Sequence, residues 1–291
     1  MLNQRMQSQI SNMELPIQAD GRAPATNGAG ALVPALSLCR RELVRFLRQR
    51  NRVIGAFATP IVFWLLIGGG MGQSFRSEGV AGGARGYMEY FFPGTILMIL
   101  LFTAIFSTIS IIEDRREGFL QSVLVAPVGR ESIVLGKVLG GTILAFGQGL
   151  VFLLLAPTVG IHLTVASFLL ACVMMLIVSF ALTALGFCIA WRMSSTQGFH
   201  AIMNLFLVPM WFLSGALFPA SRAWKGLRWV MMANPLTYGM DGIRRALYWN
   251  DASVAIGANF GISLLVSIIF AAALFALASV IAGGRVAADL Q

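Results

Sequence analysis

The sequence predicts an all-α integral membrane protein with six transmembrane helices, an N-terminal amphipathic interfacial helix and a re-entrant outer helical hairpin before the last span. Three observations carry that expectation. Of the 291 residues, 57% are apolar and 11% charged, with a mean hydropathy of +0.79. A soluble domain carries about a quarter charged residues, so the natural solvent of most of this chain is lipid. The apolar residues are gathered in six long stretches, and the charges fall in the connections between them.

Residues 1–35 are poor in aromatics and rich in Gln, Asn, Ala, Gly and Pro, which predicts a disordered cytoplasmic tail. It does not read as a secretory signal, because the first long apolar run starts near Val53. Residues 36–52 form the next unit. At 100° per residue Leu36, Cys39, Leu43, Phe46 and Leu47 share one side, while Arg40, Arg41, Arg45, Arg48 and Arg52 gather on the other. Such a helix is expected in the headgroup region, leading into the first span.

Residues 53–291 make the six-span domain, with stretches at 53–72, 91–112, 136–156, 166–190, 199–219 and 258–282, each able to cross a hydrocarbon core of about 30 Å. Pro60 and Pro209 fall inside two of them, and Pro93 suits a first helical turn. Basic residues number 14 in connections on the N-terminal side of the membrane and 7 on the other, which predicts both termini in the cytoplasm. The segment 220–257 is the misfit, with five basic residues outside. There Trp224, Leu227, Val230 and Met231 share a face away from Arg222 and Lys225, and a second half-apolar stretch follows Asn234-Pro235. Two short amphipathic helices dipping into the outer leaflet are expected.

The net charge of +9 does not point to nucleic acid, because 19 of the 21 basic residues are Arg placed beside apolar runs, where they fix orientation and touch anionic headgroups. Cys39, Cys172 and Cys188 give no even framework. The last two are about 24 Å apart along one helix, so they read as small buried hydrophobes.

Apart from Lys137, the second residue of the 136–156 stretch and counted with the connection before it, no Asp, Glu, Lys or Arg is placed inside a span. Ion-coupled transport needs an ionisable group at membrane depth, so the chain is expected to lack an ion-coupled energy source. Nucleotide hydrolysis needs a phosphate loop with Lys between Gly and Ser or Thr, and neither Lys137 nor Lys225 fits. Any ATPase is therefore a separate chain. His162 and His200 are far apart, and no metal-protease, Cys-x-x-Cys or nucleophile-elbow pattern occurs, so no catalytic residue, bound cofactor or metal is expected. Glu113, Asp114 and Glu117 are interleaved with Arg115 and Arg116 at a helix exit, which reads as a mixed-charge interface.

The segment EDRREGFLQSVLVAPVGRESIVLGK resembles the cytoplasmic loop of ABC type-2 transporter permeases, through Glu113, Arg115, Glu117, Gly118, Leu120, Leu124, Pro127 and Lys137. The later NPLTYGMDGIRRAL, with Asn234, Pro235, Tyr238 and Arg244, is similar to that family's outer segment before the last span, and Phe92 to Phe102 to its second span. The likeness covers residues 37 to 285. It implies the permease of an ATP-driven exporter, with two copies of a nucleotide-binding subunit that hold ATP and Mg, and a second permease chain, identical or not. The loop would be its coupling helix, with Leu120, Val123 and Leu124 in a groove of the ATPase. A pathway without fixed charge suits a hydrophobic drug-like, lipid-linked or glycolipid cargo, and Phe206, Trp211 and Phe212 are candidates to line it. The competing class is a self-sufficient channel or a scaffold of a membrane complex. The plasma membrane, in a bacterium the inner membrane, is the expected location.

Overall fold

The computed structural model describes residues 28–71, 83–125, 129–220, 223–249 and 257–284, and among these every regular element is helical. Most of the expected tail, residues 1–27, lies outside the described residues, as do Arg222 and Pro127.

Helix α1 spans Gly28–Arg48, so it begins inside the stretch expected to be tail. Its inward stripe is Ala35, Leu38, Cys39, Glu42 and Phe46, a helical spacing that includes one carboxylate. The expected apolar face is split: Cys39 and Phe46 turn inward, whereas Leu36 and Leu47 are 60% and 63% exposed. Two glycines of the third span explain the fit. A Cβ at Gly136 would stand 2.6 Å from the Ala35 carbonyl oxygen, and one at Gly140 2.8 Å from the Glu42 Cβ. Small residues let helix backbones approach closely, so α1 docks along the bundle and does not lie alone on a headgroup layer.

Among the described residues six helices are long and apolar enough to cross a membrane, matching the six expected stretches. They are Val53–Gly70 in α2 (Arg50–Met71), Gly86–Arg116 in α3 (Gly83–Arg116), α5 (Arg130–Leu153), α6 (Val165–Ala190), Thr196–Ala216 in α7 and its extension, and α10 (Phe260–Gly284). The apolar window of α3 is 83% buried, against 19% for α2 and 22% for α10, so α3 is the central post and the other two are peripheral. An aromatic trio of Trp64, Phe92 and Phe152 ties α2, α3 and α5, with Phe92 and Phe152 stacked at 4.8 Å. Helix α6 opens with a capping box between Thr164 and Ser167. All three cysteines are free, with Cys39 and Cys188 buried, as expected of small hydrophobes.

Two helices carry a local irregularity. Helix α3 starts eight residues before the expected span, so Pro93 is well inside it and not in its first turn. Proline cannot donate to the carbonyl of residue 89, and the Tyr248 hydroxyl donates to Glu89 O instead at 3.2 Å. Helix α7 (Thr196–Trp211) passes into a π turn over Phe212–Ala216, closed by Gly215 at φ +85, a conformation that suits glycine.

The segment 220–257 contains the two expected short helices, α8 (Lys225–Ala233) and α9 (Pro235–Leu247). Helix α9 departs from the expectation of a helix dipping into the leaflet. Of the predicted apolar face of α8 only Met231 is buried, while Trp224 and Val230 are 73% and 52% exposed. Helix α9 is buried along most of its length, Arg244 included, against α6 and α10.

Candidate functional site

At one end of the bundle a charge network joins α1 to the second and third spans. Asp114 is fully buried and takes Arg41 in a bidentate pair, Nη2 to Oδ1 at 2.7 Å and Nη1 to Oδ2 at 3.0 Å. Arg45, one turn on, donates to Asp114 Oδ1 and pairs with Glu113 at 3.0 Å and Glu117 at 3.1 Å. From the third span, Lys137 donates to Asp114 Oδ2, to Glu42 Oε1 at 2.6 Å and to Ser110 Oγ at 3.4 Å. A buried charge persists only when paired and hydrogen-bonded, and here each one is. The hydrogen bond to Asp114 raises the Arg41 guanidinium above its ordinary value, so it stays a cation.

The expectation that no charge belongs to a span is therefore corrected: Asp114 is within the second spanning helix and Lys137 within the third. The reason is mutual neutralisation. Lys137 is seven residues into its helix, about 10 Å from its start, where both carboxylates reach it. Sequence reasoning missed Arg41, Glu42, Asp114 and Lys137 as a unit. The available signal was a lone Lys at the start of an apolar helix, which demands a partner.

The proposed coupling residues follow from this end. Arg115 donates to Trp191 O at 2.6 Å and Met193 O at 3.3 Å, and Arg116 to Ser194 O at 3.1 Å. These carbonyls close the fourth span, where cations are favoured. Gly118, at φ +75, reverses the chain into the short helix α4 (Phe119–Val125). Arg41 covers the Phe119 ring at 3.7 Å. Leu120, expected to project toward a partner, is instead 4% exposed and joins the bundle core. The segment is amphipathic as expected, but its own bundle takes the apolar side at this position. Gln121 and Ser122 are exposed, as is the Glu117 side chain at 59%. The Leu124 side chain lies outside the described residues.

At the opposite end, the π turn frees carbonyls that α9 and α3 satisfy. Asn234 caps α9 by accepting from Leu236 N at 3.0 Å, and its Nδ2 donates to Met210 O at 2.7 Å. Thr237 donates to Leu213 O at 3.3 Å, and Arg244 Nη2 and the Tyr90 hydroxyl both reach Gly215 O, at 3.0 and 3.2 Å. The Arg244 guanidinium stands 4.6 Å over the Tyr90 ring. Pro235 takes the first helical turn of α9, and the Tyr238 hydroxyl donates to Met232 O. Asn234, Thr237 and Arg244 thus hold the broken end of the fifth span.

The three candidate pathway aromatics do not share a surface. Trp211 is buried, its Nε1 donating to Gly94 O at 2.9 Å, while Phe206 is 65% and Phe212 38% exposed. No cluster of His, Cys, Asp or Glu among the described residues could hold a metal.

The sequence profile of ABC-2 type transporters matches residues 35–248. The ycf38 protein of Cyanophora paradoxa, whose name describes a transport permease, is 26% identical over 246 residues, covering 80% of this chain and 83% of its own. Nodulation protein J of Sinorhizobium fredii NGR234 is 26% identical over 67% of this chain and 73% of its own, and that of Rhizobium meliloti 24% identical over 72% and 78%. With six apolar spans and a profile match over most of its length, the chain belongs to the ABC-2 type transporter family, as a multi-pass membrane permease subunit that works with an ATPase subunit.

Proposed function

We propose that this permease is the export pathway of an ATP-driven exporter that moves a hydrophobic or amphiphilic substrate, drug-like, lipid-linked or glycolipid, outward across the plasma membrane, in a bacterium the inner one. Two ATPase subunits holding ATP and Mg drive two permease chains, identical or not. Both termini are cytoplasmic, which places the charge network and α4 on the ATPase side and the α8–α9 hairpin at the outer leaflet. The relatives' names support transport, and the 14-to-7 basic bias supports the orientation.

The observation that carries the reading is the mounting of α4. Its inner side is fixed by Leu120 and by Arg41 over Phe119, while Gln121, Ser122 and Glu117 are exposed. A short helix clamped on one side to α1 and the second span passes a push from a docked partner straight into the bundle.

The experiment separates the two sides of α4. Gln121→Trp combined with Ser122→Arg should leave the permease's thermal stability unchanged, yet remove ATPase copurification and ATP-driven transport. Leu120→Ser should instead destabilise the permease itself, by about 2–5 kcal/mol as expected for a buried leucine. Normal copurification and transport in the first variant would overturn the coupling role.

A further inference from the structure

Two small residues of the last span, Ala271 and Ala272, leave a valley on the outside of the bundle. Helices α5 and α10 form its walls and α6 its floor, and it widens into a hollow of ≈ 420 Å³ lined by Leu139, Thr142, Leu176, Phe180, Ile268 and Ala272. The Thr142 hydroxyl donates to its own Val138 O at 2.7 Å, so no side chain lining the hollow offers a free polar group. Leu176 and Ala272 are exposed, which places the hollow on the surface that faces the bilayer.

The same valley ends between opposite charges. Arg130 opens α5 at the charged end of the bundle and donates to Gly283 O near the close of α10, tying the two walls together. Its side chain is exposed, and its remaining N–H groups meet no acceptor among the described residues. Glu131 is exposed as well, without an ion-pair partner among the described residues. A Cβ at Gly283 or Gly284 would meet nothing within 4 Å, so the space beside them is open. At 100° per residue Glu131 falls within about 20° of Thr142 on α5, and Gly283 within about 20° of Ala272 on α10. The charges and the hollow therefore share one valley. Between Arg130 and Thr142, and between Gly283 and Ala272, the distance along each axis is about 17–18 Å. Half of a hydrocarbon core is about 15 Å, so the hollow is near the bilayer centre, where the chain of a lipid headed at Arg130 ends.

Lipid tails are as apolar as leucine, so the hollow by itself gives an acyl chain only better packing than bulk bilayer does. Selection comes from the head. A guanidinium binds phosphate through charge-assisted, bidentate bonds, about twice as strong as neutral ones. The neighbouring carboxylate repels a purely anionic head and accepts from an ammonium N–H. The pair is thus complementary to a zwitterion with N–H donors. Phosphatidylglycerol is only anionic, and the quaternary ammonium of phosphatidylcholine has no N–H.

We propose that the valley between α5 and α10 binds one phosphatidylethanolamine from the leaflet at the charged end, with its phosphate on Arg130, its ammonium on Glu131 and one acyl chain in the hollow. The bound lipid ties the peripheral last span to the third. Neither the cargo nor the direction of transport enters this inference.

The test titrates the delipidated permease–ATPase complex in detergent with dioleoyl lipids of the three head groups, counting lipids per permease chain by native mass spectrometry. One phosphatidylethanolamine should bind at about a tenth of the concentration the other two need. Arg130→Gln should raise its half-saturation point about tenfold, as the loss of one charge-assisted bond does. Arg130→Lys keeps a cation for the phosphate and should restore most of the affinity, a rescue that misfolding does not mimic. Glu131→Gln should bring phosphatidylethanolamine level with phosphatidylcholine. Ala272→Phe fills the hollow and should weaken all three lipids, whereas Ala273→Phe, exposed on the same helix but outside the hollow, should not. Equal half-saturation for the three head groups would mean unselective boundary lipid and would overturn the proposal. Equal effects of Ala272→Phe and Ala273→Phe would overturn the seat of the chain. Loss of a second permease chain from the Ala272→Phe complex with lipid binding intact would mean that the hollow packs against another copy, and would overturn the proposal too.

Discussion

Replacing Asp114 by Asn tests whether the charged end is held by one buried anion. The carboxylate accepts two bonds from Arg41 and one each from Arg45 and Lys137, with no exposure to solvent. Asparagine removes the charge and turns an amide N–H group toward three cations. Lys137, 6% exposed, then keeps Glu42 as its sole carboxylate partner among the described residues. Breaking a buried pair from one side costs about 3–5 kcal/mol. At about 2 °C per kcal/mol for a chain of this size, the melting temperature of purified permease should fall by roughly 6–10 °C. Glu117, which meets Arg45 at the exposed edge, is the control: Glu117→Gln should cost about 0.2–1 kcal/mol and shift the melt by less than about 2 °C. Asp114→Leu with Lys137→Met removes a charge of each sign, and should be less damaging than the two single changes summed, by about 1–3 kcal/mol. A shift for Asp114→Asn no larger than for Glu117→Gln would refute the claim that this network anchors α1.

Gly136→Ala places a methyl against the Ala35 carbonyl and should cost about 1–3 kcal/mol by levering α1 off the bundle, while Gly147→Ala, which meets nothing within 4 Å, should be neutral or slightly stabilising; thermal melts of the two side by side decide it. Burial pushes the Asp241 carboxyl above its usual value, against the opposing pull of the Ala258 N–H and of Arg244 and Arg245. Folding then takes up a proton, so this contribution is full below the unfolded value of about 3.9 and is lost as pH rises through the raised one. Asp241→Asn keeps an acceptor for Ala258 N, 2.9 Å away in the native pair, and should raise the melting temperature at neutral pH and flatten its acid-side dependence; a drop at neutral pH contradicts this.

The spans were legible because apolar length is set by membrane thickness alone, so 166–190 and 258–282 agree with α6 and α10 to within a few residues. Segments governed by tertiary contact were read less well. The α1 periodicity identified a helix, but the inward stripe includes Glu42 because its partner Lys137 comes from far along the chain. Amphipathicity of α4 was visible, whereas the identity of the surface covering Leu120 was not, since the second span and a cytosolic partner are equally apolar acceptors. Aromatic residues of the fifth span read as one group, although Trp211 and Phe206 face different ways once the helix is docked.

The five basic residues of 220–257, the misfit of the orientation count, have a local reason. Charge bias sorts free cations, which remain with anionic headgroups and resist crossing. Arg244 and Arg245 are not free: they bond the carbonyls of Gly215 and Gly257, each at 3.0 Å, and Arg244 also covers the Tyr90 ring. The same chemistry operates at the other end, where Arg115 and Arg116 close the fourth span. Arginine in this chain therefore serves two purposes that composition merges. Some arginines face outward and orient the chain, as Arg40 and Arg48 do by their exposure. Others satisfy backbone carbonyls that a broken or ending helix leaves open, in buried surroundings at Arg244. Setting Arg244 and Arg245 aside on that ground leaves Arg222, Lys225 and Arg228 in the segment, a number within reach of an amphipathic helix resting on headgroups. Setting Arg115 and Arg116 aside on the same ground leaves 12 basic residues against 5, so the excess on the N-terminal side is unchanged.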